Sequence, residues 1–163
     1  ETPVLLVLGG GSGRRALNEA VDAHLGELFT RFHILQLCGK GNVTQSPRGC
    51  VRLEFERDMG SAYACADLVL SRAGSNTLFE LLALKKPALL VPLERCSRGD
   101  QLKNARYFEE MGLCAVLPEK KLGELPSALL RLYGSATVRD ALLAYRSENG
   151  TERILQEIRA AIS

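Results

Sequence analysis

No stretch of this 163-residue chain reaches the run of about 18 apolar residues that a membrane-crossing helix needs. No basic-then-apolar leader is visible at its start either. The five cysteines (Cys38, Cys50, Cys65, Cys96 and Cys114) are odd in number, scattered, and form no Cys-x-x-Cys. They read as reduced small hydrophobes of a cytosolic protein, not as a disulfide framework or a zinc site. His24 and His33 have no partners at ligand spacing, and no Asp-x-Asp is present, so the expectation is no metal and no cofactor. Charge of one sign is also missing: 21 Lys and Arg face 19 Asp and Glu, for a net +2. That gives no general case for nucleic acid or an anionic membrane. Arg14-Arg15 and Arg95/Arg98 read as solvated faces. There is no repeat and no low-complexity segment. What remains, 46% apolar and 25% charged, is an ordinary globular composition. The length suits one domain with a sizeable core. The chain opens on Glu1 rather than Met and enters an apolar run almost at once. It reads as a piece cut at a domain boundary, or as a chain stripped of a tag.

Strand and helix patterns alternate along the chain. Val4–Leu8 is a continuous apolar run, the mark of a strand covered on both faces. Residues 14–29 read as one helix with Leu17, Ala20, Val21, Leu25 and Leu28 on a stripe, and 33–38 as a second strand. After a loop with Pro47 and Gly49, residues 51–55 alternate as a short strand, and Asp58 is placed to cap a helix over 59–66. Further strands are expected at 66–70, 87–92 and 113–117, with helices over 78–84, 101–111, 121–132, 136–147 and 151–162. At least five alternations argue for an α/β fold with a doubly wound parallel sheet and right-handed crossovers. In such a sheet, ligands sit beyond the carboxyl ends of the strands. The loops 9–13, 71–77 and 92–100 lie there.

The segment Ser71–Glu80 is the most informative of these. Gly74, Ser75, Asn76 and Thr77 sit at a strand-to-helix turn, where backbone N–H groups point outward at the positive helix end and suit a phosphate. Glu80, one to two turns further in, is placed to reach the two hydroxyls of a ribose. A second reading stays open: Thr77-x-x-Glu80 matches a capping box, and Ser75 or Asn76 is a plain helix cap. The turn Gly9 to Gly13 fails as a Walker motif, since no lysine follows. It fails as a dinucleotide fingerprint too, because the third glycine position holds Arg14 and the second strand ends Leu37-Cys38-Gly39 without an acidic residue. What survives is a tight turn or a close backbone approach by a ligand. Asp100, Gln101 and Asn104 offer groups suited to sugar hydroxyls, or else an exposed helix cap. Phe55 and Met59 flank a possible pocket wall, though each taken alone reads as core.

Taken in order, Gly9-Gly10-Gly11-Ser12-Gly13-Arg14-Arg15-Ala16-Leu17-Asn18, Gly39-Lys40-Gly41, Asp58-Met59, Ala64-x-Ala66-Asp67, Ser71-Arg72-Ala73-Gly74, Leu78-x-Glu80, Lys86-Pro87-Ala88, Val91-Pro92-Leu93 and Asp100-Gln101-x-Lys103-Asn104-Ala105 resemble one family. The chain is similar to the C-terminal half of the MurG family, glycosyltransferase family 28, over nearly its whole length. The resemblance implies a Rossmann-like half of a GT-B fold, a single donor-binding domain over 1–163. The N-terminal acceptor domain, with its membrane patch and general base, would lie outside this chain. It implies an inverting transfer of N-acetylglucosamine from UDP-GlcNAc to lipid I in peptidoglycan synthesis, on the cytoplasmic face of the bacterial membrane. Backbone around Glu56 would read uracil, with Phe55 and Met59 beside the donor. Glu80 would hold the ribose and backbone at Gly74–Thr77 the diphosphate. Asp100 and Gln101 would face the sugar, and Gly10, Gly11, Ser12 and Gly13 would lie against the phosphates. No catalytic base is expected on this chain, so binding without transfer is expected of it alone. Competing readings are a GT-B transferase or UDP-sugar epimerase with another substrate, and a non-catalytic UDP-binding module.

Overall fold

A computed structural model describes residues 1–9, 14–93, 99–146 and 150–162. Its centre is a six-stranded sheet in the order β3-β2-β1-β4-β5-β6. The strands are β1 (Val4–Leu8), β2 (His33–Leu37), β3 (Cys50–Leu53), β4 (Leu68–Ser71), β5 (Ala88–Leu90) and β6 (Ala115–Val116), with every pairing parallel. The helices are α1 (Arg14–Ala23), α2 (Leu25–Leu28), α3 (Met59–Cys65), α4 (Ser75–Ala83), α5 (Asp100–Glu110), α6 (Leu125–Tyr133), α7 (Ala136–Ala144) and α8 (Gly150–Ala161). The doubly wound α/β expectation therefore holds.

Strand side chains alternate between faces, so a strand covered on both sides must be apolar at every position. β1 shows this: Leu5 and Val7 join a core with Leu17 and Val21 of α1 and Leu125 and Leu129 of α6. Leu6, between them, joins the opposite core with Tyr63 of α3, Leu78 and Leu81 of α4 and Phe108 of α5. Register aligns the strand ends. Leu8 is the partner of both Leu37 and Ser71, Leu37 of Leu53, and Ser71 of Leu90. The carboxyl ends of five strands thus form one rim. The sequence-order reversal falls between β1 and β4.

Several expected boundaries shift for physical reasons. The helix over 14–29 divides at His24. The His24 N–H turns to Val21 O, three residues back, and its ring Nδ1 donates to Ala20 O at 2.8 Å, taking an acceptor the helix would use. The helix expected over 121–132 is a 3-10 turn (Glu119–Glu124) followed by α6, because Pro126 lacks an N–H and belongs at a helix start. β4 begins at Leu68, after α3 has ended at Ala66, and β6 pairs over two residues only. Asp58 caps α3 as expected, accepting from Ser61 N at 3.0 Å. On α8, Ile154, Leu155 and Ile158, with Ile162 just after it, lie exposed rather than against the chain's own core. No helix among the described residues is long and apolar enough to cross a membrane. The described cysteines, Cys38, Cys50, Cys65 and Cys114, are free thiols.

Candidate functional site

A cleft of about 760 Å³ opens at the strand-end rim, reaching from Leu8, Leu37 and Ser71 to α3 and α4. It sits where the strand order reverses, the usual ligand crevice of open parallel sheets. Of the residues singled out from the sequence, Phe55, Met59, Gly74, Thr77, Glu80 and Gln101 line it. Ser75 and Asn76 form the exposed first turn of α4 without lining the cleft. Glu56 lies in the link between β3 and α3, where its carboxylate accepts from Asp58 N at 2.9 Å. Asp100 is the exposed first residue of α5. Gly10, Gly11, Ser12 and Gly13 lie outside the described residues.

The start of α4 decides between the two readings of its sequence. Gly74 is the cap position, with φ −66° and ψ 139°, and brings no side chain to the helix end. The first intrahelical bond recorded there is Leu78 N to Gly74 O. The N–H groups of the first turn are therefore left without a side-chain cap, in the positive field of the helix end. The capping-box alternative fails because Thr77 is the third helical residue, not the cap. Ser75 and Asn76 are already helical and cap nothing. Glu80 turns away from the helix start, and its Oε2 accepts a hydrogen bond from the Tyr63 phenol at 2.8 Å.

Tyr63 is only 4% exposed and lines the cleft one turn after Met59. Burial, and then the neighbouring Glu80 carboxylate, pushes its phenol above the ordinary tyrosine value. Phe55, read from sequence as core when taken alone, is 74% exposed at the cleft mouth because β3 ends at Leu53 and the chain leaves the sheet. Gln101 holds its amide oxygen against Leu93 N at 3.1 Å, so what it can offer a ligand is the NH₂ end.

The lining also includes residues not singled out as site residues, among them Gly39, Lys40, Tyr63, Ser71 and Arg72. Four of them stand in short sequence motifs, Gly39-Lys40-Gly41 and Ser71-Arg72-Ala73-Gly74. Tyr63 carried no signal beyond an aromatic on a helical stripe. Arg72 is 7% exposed; its guanidinium donates to Val91 O at 3.1 Å and pairs with Glu119 at 2.5 Å. It ties β4 to the segments after β5 and β6. Lys40 is exposed at the rim. Among the described residues no group of three or more His, Cys, Asp or Glu side chains is placed to hold a metal ion.

Residues 4–157 match a family described as the glycosyltransferase family 28 C-terminal domain. A relative from Geobacillus thermodenitrificans is 41% identical across 99% of this chain and 47% of its own length. One from Oceanobacillus iheyensis is 41% identical across 96% of this chain and 46% of its own. Both are named UDP-N-acetylglucosamine–N-acetylmuramyl-(pentapeptide) pyrophosphoryl-undecaprenol N-acetylglucosamine transferase. The crystal structure of Acinetobacter baumannii MurG superposes with a TM-score of 0.76 at 25% identity, across 98% of this chain and 50% of that one. The chain spans about half the length of the relatives it matches.

Proposed function

The chain belongs to the glycosyltransferase family 28 C-terminal domain family, and on that premise we propose that it is the donor-binding half of an inverting N-acetylglucosaminyltransferase. The whole enzyme would move N-acetylglucosamine from UDP-GlcNAc to lipid I, giving lipid II for peptidoglycan. The observation that carries this reading is the pairing, in one cleft at the switch point, of an uncapped helix N-terminus with a carboxylate on the same helix. The first binds a diphosphate through N–H groups, and the second accepts from a ribose diol.

In this reading backbone N–H and C=O groups around Glu56 meet the uracil edge, and Phe55 and Met59 flank the base. Gly74, Ser75, Asn76 and Thr77 hold the diphosphate, joined by Gly10, Gly11, Ser12 and Gly13. Asp100 and Gln101 turn toward the sugar. An acceptor hydroxyl oxygen attacks the anomeric carbon, and the bond from that carbon to the diphosphate oxygen breaks. The hydroxyl proton passes to a base in the other half of the enzyme. Charge that develops on UDP meets N–H groups already oriented in the helix field, so no reorganisation is needed during the step. The other half would also carry the acceptor site and the contact with the cytoplasmic face of the membrane.

Titration of this chain with UDP, UDP-GlcNAc, UDP-galactose and NAD side by side tests the reading. Binding of UDP and UDP-GlcNAc is expected, with no binding of NAD and no transfer to lipid I by the chain alone. Binding of NAD in place of UDP would overturn it. Equal affinity for UDP-galactose would move the assignment to an enzyme with another donor.

A further inference from the structure

Glu80 stands on the surface side of α4, where a glutamate ordinarily samples several rotamers. Here it is held. The ring of Tyr63 is packed with Leu78, Leu81 and Leu82 in the core beneath α4, so the phenol oxygen has one position. From there it donates to Glu80 Oε2 at 2.8 Å. Among the described residues no other protein donor reaches this carboxylate, which leaves Oε1 and the outer lone pairs of Oε2 for a ligand. Both residues line the same cleft.

We propose that Tyr63 is the positioning residue of this site: its phenol fixes the Glu80 carboxylate so that the remaining oxygen faces the ribose hydroxyls of the nucleotide. The proposal rests on the donor-binding reading and adds to it a basis for choosing ribose over deoxyribose. Two adjacent hydroxyls that both donate to a carboxylate need one orientation of its plane. A freely rotating side chain would lose that order as a binding cost. The bond also joins α3 to α4. The helix that follows the base-flanking segment Phe55–Asp58 thereby sets the distance to the ribose partner.

Calorimetric titration of wild type, Tyr63→Phe, Glu80→Ala and the double variant with UDP and with 2′,3′-dideoxy-UDP tests this. Tyr63→Phe keeps the buried ring and removes only the donor. Its UDP affinity is expected to fall by about tenfold, the scale of one hydrogen bond to a charged group. Its affinity for the dideoxy nucleotide is expected to stay unchanged. In the Glu80→Ala background the same substitution should have no further effect. A merely structural tyrosine would instead weaken both nucleotides equally or neither, and either result overturns the positioning role. Unchanged UDP affinity in Glu80→Ala overturns the donor reading itself. A loss in Glu80→Ala with none in Tyr63→Phe overturns the positioning role alone.

Discussion

The side chain of Asn18 fills the space where residue 9 would carry a Cβ: a methyl built on Gly9 would lie 2.0 Å from Asn18 Oδ1. Asn18 is held in place by two hydrogen bonds. Its Nδ2 donates to Cys38 O at 3.2 Å, and its Oδ1 accepts from Gln36 Nε2 at 3.1 Å. Gln36, 1% exposed, is held in turn by Arg52 Nε at 3.1 Å, and Arg52 pairs with Asp22. A polar chain thus runs from Asn18 of α1 across Gln36 of β2 to Arg52 of β3 and back to Asp22 of α1, buried at Gln36 and Arg52.

Gly9→Ala should therefore destabilise the chain by about 1–3 kcal/mol, the usual range for an overpacked interior site. Asn18→Ala removes the obstacle, so the double variant should be more stable than the sum of the two single losses implies. Urea unfolding of the three variants measures this. Strict additivity would show that Asn18 does not set the requirement for glycine.

Glu80 and Thr77 separate binding from helix capping. Glu80→Ala should weaken UDP binding by roughly 1.5–3 kcal/mol, the range for hydrogen bonds to a charged group. Thr77→Ala, at the third helical position, should leave the thermal midpoint nearly unchanged. Loss of a true cap would cost about 1 kcal/mol. A clear drop in midpoint for Thr77→Ala with unchanged UDP affinity for Glu80→Ala would restore the capping box.

The contrast between Phe55 and Tyr63 shows what could be read from the sequence alone. Continuous apolar runs such as Val4–Leu8 announce strands covered on both faces, and Asp58 announces a helix start, because both signals are local. The sheet, its switch point and the cleft follow from them. The start of α4 was less legible: Ser75, Asn76 and Thr77 are all favoured caps, while the residue that takes the role is Gly74, which has no side chain to signal it. Tyr63 reads as one more core aromatic. Its contact with Glu80 exists only because β4 returns α4 to the side of α3. Arg72 likewise sits among small polar residues in sequence, yet it is buried against Glu119 from beyond β6. Such contacts depend on topology, and no local pattern encodes them.

Thiol reactivity should divide by burial. Cys114 is buried against Ala105, and burial, with a smaller contribution from the Glu109 charge, pushes its thiol up to about 12. Burial also raises Cys38 and Cys50. Cys65 is exposed. Since the thiolate is the reactive form, mass-spectrometric mapping after a short pulse of iodoacetamide at pH 8 should find Cys65 labelled. Cys38, Cys50 and Cys114 should stay unlabelled until denaturant is added. Early labelling of Cys114 would contradict its placement between α5 and β6.

Asp58 gives the fold an acid-side dependence that reaches the cleft. Hydrogen bonds from the Ser61 hydroxyl, at 2.5 Å, and then from the Ser61 backbone N–H hold its carboxyl below the ordinary aspartate value. The unfolded chain, with the ordinary value of about 3.9, then binds more protons than the folded chain as pH falls through that region. The cap's contribution is fully present above about pH 4 and is lost as pH drops toward the lowered folded value. Asp58→Asn keeps an acceptor for Ser61 N–H but does not titrate there. The thermal midpoint of wild type should accordingly fall more steeply between pH 5 and pH 3 than that of Asp58→Asn. Other carboxylates act on both proteins alike, so the difference between the curves is the quantity to read. Because α3 starts at this cap and carries Met59 and Tyr63 into the cleft, UDP affinity of wild type should decline over the same interval by more than that of the variant. Parallel curves would mean that the capping bonds persist in the protonated acid and that Asp58 does not link acid to the cleft.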